Sequence, residues 1–225
     1  IQFNDSVVMR NRIILFIILF CSALFPAYAG GTAELFLKMQ QKLREAEAVE
    51  ISYSFRITDL NGNFCEPQYG NFCVQDDCYV LFSDTFEMWC DGKSIWFYNK
   101  ESDELSITDA NPSDISLTDN PYRYITDMNI SDYTYKKSSE TVELDGLTLN
   151  AITLIPKSSS EFGSISFRLL DDFYPVQIVC NAKSNGSAME LNIKKFIVTP
   201  KYDISIFRPN DSLLCSDSVM VIDLR

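Results

Sequence analysis

The stretch of residues 86–105 constrains the fold more than any other part of the chain. Two runs rich in aromatic residues flank the dipeptide Asp91-Gly92, which is a strong hairpin signal because glycine tolerates the positive φ of a tight turn. A polar turn at 99–102 separates the second run from a third strand pattern. The stretch predicts an antiparallel meander with large apolar side chains on both faces. Such faces must be covered, and a helix and a ligand are the main candidates.

Hydrophobic periodicity elsewhere predicts one long helix followed mainly by strands. Leu35, Met39 and Leu43 recur at helical spacing within residues 32–47, and the period changes to two from Ile51. Turn signals divide the rest into roughly ten or eleven strands, interrupted by a short helical segment at 121–128. We therefore predict a mainly β chain of the α+β class, in which a curved antiparallel sheet carries a few helices on its concave side.

The N-terminal part has the pattern of a secretory signal. Residues 1–8 precede Met9 and are interpreted as upstream or vector residues. Two arginines, an apolar run at 13–20 and the small residues of Ala27-Tyr28-Ala29 then fit cleavage before Gly30. A transmembrane anchor is the alternative, but the apolar stretch is short and broken by a proline. We expect a signal peptide at 9–29 and one exported domain at 30–225.

Charge and cysteine content limit the partners and suggest disulfides. The net charge is −12 and no basic patch is present, so neither nucleic acid nor an anionic membrane surface is an expected partner. The exported part contains six cysteines, an even number that favours disulfides outside the cytoplasm. If a hairpin turns at Ser83-Asp84, Cys78 falls almost opposite Cys90, which makes this pair a candidate bridge. The alternative is a set of small buried thiols.

The sequence contains no catalytic constellation. It has no histidine, which excludes Ser-His-Asp and Cys-His nucleophile systems and the usual zinc hydrolase sites. The acidic pairs Asp76-Asp77 and Asp171-Asp172 fall in predicted turns, where solvated surface carboxylates are expected. We therefore predict no enzyme, no cofactor and no metal. The excess of apolar side chains, including 16 Phe and 11 Tyr, predicts a large core, part of which lines a cavity for an apolar ligand.

A family resemblance emerges from the central hairpin. Residues 91–99, Asp-Gly-Lys-Ser-Ile-Trp-Phe-Tyr-Asn, resemble the "DGK-T-LWFYN" segment of LolA-type periplasmic lipoprotein carriers. The strand at 49–58 and the Gly70-Asn71-Phe72 strand are similar to their counterparts in that family. Residues 120–125 and 221–225 resemble the branch found in Bacteroides-type bacteria. The resemblance spans essentially all of residues 32–225.

The resemblance implies a fold and a function. The fold would be an unclosed β-barrel with helices as a lid over a hydrophobic cavity. The protein would be a periplasmic monomer that carries acylated lipoproteins from an inner-membrane exporter to an outer-membrane acceptor, without catalysis. A 16-carbon acyl chain in water costs on the order of 12 kcal/mol, so such cargo needs shielding. The alternative is a sensor or regulatory domain on the same fold, which binds a lipid or a partner protein.

Strand alternation then selects candidate residues for the cavity wall. Alternate residues of a strand lie on the same face of the sheet. The predicted hairpin at Ser83-Asp84 places Val80 and Phe82 on the same face as Phe86 and Met88. Each of these residues has a role in the core as its alternative. The predicted wall consists of Phe55, Ile57, Val80, Phe82, Phe86, Met88, Trp96, Tyr98, Ile165, Phe167 and Leu169.

One family feature is missing. In the best-known carriers an arginine just after the Gly-Asn-Phe strand helps to latch the lid through hydrogen bonds. The matching region, residues 74–78, reads Val-Gln-Asp-Asp-Cys and contains no arginine. Arg56 and Arg123 are the candidate substitutes.

Overall fold

The computed structural model describes residues 31–59, 61–111, 120–136, 140–158, 160–184 and 186–225. The predicted upstream segment and signal peptide lie outside the described residues, so their boundaries stay predictions. The described chain is mostly β-strand, as its alternating pattern predicts. No helix within these ranges is both long and apolar enough to cross a membrane.

Thirteen strands within the described residues form one sheet that is curved and not closed into a barrel, which confirms the predicted fold class. The order is β13-β6-β5-β4-β3-β2-β1-β12-β11-β10-β9-β7, and β8 pairs with β9 beside this path. The pairing of β13 with β6 is parallel, and the other pairings of these strands are antiparallel. The strands are β1 (Ala48–Ile57), β2 (Gln68–Gln75), β3 (Cys78–Ser83), β4 (Phe86–Cys90), β5 (Ser94–Asn99), β6 (Glu104–Asp109), β7 (Tyr133–Thr134), β8 (Glu140–Leu144), β9 (Leu147–Pro156), β10 (Phe162–Leu169), β11 (Pro175–Ala182), β12 (Ala188–Thr199) and β13 (Met220–Asp223).

Helices make up a small part of the described residues. They are α1 (Thr32–Arg44), α2 (Pro121–Asp127) and α3 (Asp211–Leu214), with 3-10 turns at Ile130–Asp132 and Ile204–Phe207. Helices α1 and α2 cover one face of the sheet. The stripe of Leu35, Met39 and Leu43 is buried, which explains why α1 packs on the sheet. Helix α2 begins where the Asn120 side chain accepts a hydrogen bond from the Arg123 backbone N–H. We call the sheet face under α1 and α2 the concave face.

The β3–β4 hairpin has a register that differs from the prediction. Residues 84–85 form a two-residue turn, so an even-numbered residue of one strand lies opposite an odd-numbered residue of the other. Leu81 therefore lies opposite Met88, and both point to the concave face. Val80 and Phe82 point to the convex face, away from Phe86 and Met88, whereas alternation across the assumed hairpin had placed all four together.

The buried residues of the described ranges form three clusters. One lies between α1, α2 and strands β9–β11, and contains Phe36 and Phe167 with ring centroids 5.8 Å apart. A second lies on the concave face of β1–β4. The third lies on the convex face of β3–β5, where the C-terminal segment 201–216 covers it and contributes the fully buried Phe207. The second cluster borders an open space between the concave face and the helices α1 and α2.

Candidate ligand cavity beneath two lid helices

A cavity of about 310 Å³ lies between the concave face and the helices α1 and α2. None of the described residues that line it carries a charged side chain. The lid contributes Leu43 from α1 and Pro121, Tyr122 and Ile125 from α2. The sheet contributes Ile51, Tyr53, Phe55, Gln68, Tyr69, Phe72, Leu81, Ser83, Phe86, Pro175, Ile178, Cys180, Met189, Leu191, Ile193 and Phe196.

The pairing of β1 with β12 builds the longest part of the wall. Tyr53 lies opposite Ile193 and Phe55 opposite Leu191, so alternate residues of both strands face the cavity. The register shifts at Lys194, which has no partner on β1. This bulge keeps Phe196 on the cavity side although it is three positions beyond Ile193, because the extra residue restores the alternation.

The two lid helices are joined to each other by buried and partly buried polar contacts. The Gln40 side chain, 2% exposed, donates from Nε2 to the backbone oxygens of Ile125 and Met128, each at 2.8 Å. The Tyr122 hydroxyl donates to the Leu43 carbonyl, and the Arg44 guanidinium donates to the Thr126 carbonyl. Because the donors and acceptors belong to α1, α2 and the residues that follow α2, the two helices form one lid.

An ion pair joins this lid to the rim of the sheet at β2–β3. Arg123 of α2 approaches Asp77, between β2 and β3, with Nη1 2.6 Å from Oδ1. Asp77 lies within residues 74–78, which contain no arginine, so the arginine of this ion pair belongs to the lid and its carboxylate partner to the rim. Arg56 instead pairs with Glu190 at 2.7 Å and stacks on the Phe64 ring. Of the two candidate substitutes, Arg123 is therefore the one that contacts the rim from the lid.

Six of the predicted wall residues lie on the concave side of the sheet. Phe55 and Phe86 line the cavity. Met88 packs in the second cluster behind the cavity wall. The three residues of β10 are fully buried under α1 and do not reach the cavity, because Phe36 and its neighbours fill the space above them; they are Ile165, Phe167 and Leu169. Their position gives no support to a role in ligand binding, in contrast to that of Phe55 and Phe86.

The other predicted wall residues lie elsewhere. Val80, Trp96 and Tyr98 belong to the convex cluster, because the β3–β4 and β4–β5 registers place them on the side of Trp89. Phe82 is 40% exposed with its ring edge against Trp89, and Ile57 is 47% exposed at the end of β1. A two-residue turn, whether at 83–84 or at 84–85, pairs even-numbered with odd-numbered residues, so it selects Leu81 and not Val80 as the neighbour of Phe86 and Met88.

The predicted wall did not include β12, which forms part of the observed one. Met189, Leu191 and Ile193 alternate with polar residues, which is the signal of a strand with one apolar face. The lid residues Tyr122 and Ile125 were predicted as helical but not assigned to the site.

The structure does not contain the predicted Cys78–Cys90 bridge. Both residues are free cysteines, and Cys90 lies opposite Tyr79. Successive side chains of a strand point to opposite faces, so Cys78 lies in the convex cluster and Cys90 in the concave one. Burial raises the pKa of the Cys90 thiol to about 11, which keeps it protonated at neutral pH.

Comparison with known proteins supports the predicted resemblance. No family model matches the chain. Two outer-membrane lipoprotein carrier proteins match at 29% identity, over 91 residues for that of Shewanella halifaxensis and over 97 residues for that of Shewanella pealeana. These matches cover 39% and 41% of this chain and 42% and 44% of the relatives, so the chain spans less than half of their length.

The overall fold also occurs among solved structures. An uncharacterized conserved protein from Thermus thermophilus superposes with a TM-score of 0.54 at 12% identity, over 85% of this chain and 98% of that one. The fold and the site define a class of proteins in which an open curved sheet holds an apolar cavity under helices. Within this class the chain is similar to outer-membrane lipoprotein carrier proteins, and the predicted resemblance to LolA-type carriers is confirmed.

Proposed function

We propose that the protein is a carrier that shields the acyl chains of lipoproteins in its cavity during transfer from the inner to the outer membrane. The observation that supports this most is the uncharged cavity of about 310 Å³ beneath a lid. The names of the matched relatives point to the same function. In this proposal the chain acts in the periplasm after removal of residues 9–29, as a monomer, and catalyses no reaction.

The chemistry of the wall suits a transient carrier. Burial of an apolar chain stabilises the complex in proportion to area, without the directional contacts that would select one chain. The volume lies near the lower end of the range of small-molecule pockets, about 300–1,000 Å³. A second or third acyl chain would therefore require the lid to move outward. The exporter and the acceptor that the family resemblance implies would be the partners that drive this motion.

The first test is ligand binding by the purified mature chain with matched charge insertions. Native mass spectrometry and displacement of a fluorescent acyl probe would measure the bound lipid. We expect Ile193→Lys, which places an ammonium in the wall, to abolish binding because a buried unpaired charge is costly. Val198→Lys, an exposed position on the same strand, should bind as the wild type does.

The second test separates a lipoprotein carrier from a lipid-binding regulator. A strain depleted of the protein should accumulate outer-membrane lipoproteins at the inner membrane. Restoration of sorting by the wild type, but not by Ile193→Lys, is the expected result. Lipid binding in vitro together with normal lipoprotein sorting after depletion would overturn the carrier function in favour of the regulatory alternative.

A further inference from the structure

The hydroxyl of Tyr53 is accessible from the cavity and has no protein hydrogen-bond partner in the described part of the chain, whereas the other polar side chains of the wall are engaged or solvated. Tyr53 lines the cavity, and its hydroxyl has no hydrogen-bond partner among the described residues. By contrast, the Tyr122 hydroxyl donates to Leu43, and the Ser83 hydroxyl accepts from the Phe86 backbone N–H at 3.0 Å. Gln68 and Tyr69 are exposed at the mouth. An apolar ligand that fills the cavity would remove water from this donor, which is costly unless the ligand itself supplies an acceptor.

Gly70 gives this hydroxyl its position. A Cβ atom on residue 70 would lie 2.5 Å from the Tyr53 hydroxyl oxygen and 2.6 Å from its Cζ, closer than atoms can approach. The phenol therefore lies directly against the backbone of β2, opposite Gly70 in the β1–β2 register. Gly70 is not among the glycines with positive φ. Glycine is therefore needed at this position because it has no side chain, and not because of its conformational freedom.

The protonation state and the surrounding charge restrict the acceptor. Burial raises the pKa of Tyr53 to about 12, so the hydroxyl remains a donor at neutral pH. No cationic side chain lines the cavity among the described residues, so nothing there compensates a buried carboxylate. A neutral carbonyl oxygen next to a hydrocarbon chain matches both conditions.

We propose that Tyr53 is the polar anchor of the cavity and donates a hydrogen bond to the carbonyl oxygen of an acyl ester or amide. This inference rests on the proposed function, because it assumes that an acyl chain occupies the cavity. It adds a specificity: the protein prefers chains attached through an ester or amide to bare hydrocarbon. The ester and the amide share the same acceptor chemistry, and separate ligands distinguish them.

The test compares three ligands of similar chain length on three proteins. Methyl palmitate, N-methylpalmitamide and hexadecane would compete with a fluorescent acyl probe for the wild type, Tyr53→Phe and Tyr98→Phe. We expect Tyr53→Phe to weaken methyl palmitate or N-methylpalmitamide binding by roughly three- to tenfold, the effect of one neutral hydrogen bond, and to leave hexadecane unchanged. Tyr98→Phe removes a hydroxyl on the convex face, bonded to Asp103, and should change nothing.

A spectroscopic measurement gives an independent readout. Methyl palmitate labelled with ¹³C at its carbonyl should show a lowered infrared stretching frequency when bound to the wild type, and the unbonded frequency in Tyr53→Phe. Equal weakening of all three ligands, or no change in any, would overturn the anchor role alone. A wild type that binds none of them would overturn the carrier function as well. If Tyr53→Phe fails to fold, an unshifted carbonyl band in the wild type still overturns the inference.

Discussion

The two faces of strands β3–β5 carry similar side chains but are covered in different ways. On the convex face Val80, Trp89 and Trp96 are packed against Phe207, which is fully buried. On the concave face Leu81 and Phe86 border a cavity beneath α1 and α2. Both faces are apolar, so composition alone does not determine which one encloses a ligand site.

The difference lies in the element that covers each face. The C-terminal segment fills the convex face with an aromatic ring and is tied to the sheet by polar contacts, including that of Arg208 Nε with Asp91 at 2.7 Å. The lid spans the concave face and reaches the β2–β3 rim through Arg123. A face becomes a binding site when its cover is attached at the edges and leaves the centre unfilled. Four experiments test this contrast.

The largest expected effect follows from removal of the Phe207 ring from the convex cluster. Phe207→Ala should lower the free energy of unfolding by about 3–5 kcal/mol, because it leaves a cavity in a filled cluster. Urea unfolding measures the change, and acyl-probe binding should be unaffected in the folded fraction. The matched variant Phe86→Ala removes a half-buried ring of the cavity wall, so it should destabilise the fold less and weaken ligand binding. Equal losses of stability would contradict the contrast between the faces.

The next effect concerns the junction inside the lid. Gln40→Leu removes the donor for the carbonyls of Ile125 and Met128, so it should cost about 1–3 kcal/mol by leaving buried acceptors unpaired. Hydrogen exchange of the α2 amides should accelerate at the same time. Gln41→Leu is the control, since this side chain is exposed and bonds with Glu45 of the same helix end. Unchanged exchange in α2 would show that Gln40 does not hold the lid together.

A smaller effect on stability is expected at the rim. Arg123→Gln should change the free energy of unfolding by less than about 1 kcal/mol, because Asp77 is mostly exposed. Release of a bound acyl probe should nevertheless become faster, and stopped-flow displacement measures the rate. Asp77→Asn should release the probe at the same rate as Arg123→Gln, and the double variant should release it no faster than either single variant. Arg56→Gln, whose partner is Glu190, serves as the control and should release at the wild-type rate. Independent, additive effects of the two rim variants would exclude the ion pair as a latch.

The smallest expected effect is a pH dependence of the convex cover. Burial alone would raise the pKa of Asp91, but backbone donors at Ser94 and Lys93 and the Arg208 guanidinium lower it overall. Asp91 therefore stabilises the fold at pH values above the ordinary carboxyl range, and this contribution is lost as the pH falls through its lowered pKa. Urea unfolding as a function of pH should show a shallower acid loss for Asp91→Asn than for the wild type. An identical slope would contradict this role of Asp91.

The sequence predicts the elements well and the wall only in part. The apolar stripe of α1 and the alternation of the strands are local patterns, so their positions follow from periodicity. The face shared by two neighbouring strands depends on whether the turn has an even or an odd number of residues, and the two-residue turn at 84–85 places Leu81, not Val80, beside Met88. The Gln40 contacts to the end of α2 have no sequence signal, because they join residues that are far apart in the chain.

The parallel pairing of β13 with β6 has a consequence for how the chain is made. The backbone N–H of Leu224 donates to Ile107, so β6 receives its outer neighbour from residues that are synthesised much later. During vectorial synthesis the edge of the central meander stays open until β13 has left the ribosome. An open strand edge promotes pairing between molecules. We expect a chain truncated before residue 220, whose β6 edge stays unpaired, to self-associate more readily than the full chain, in which the short strand β13 forms that end of the sheet.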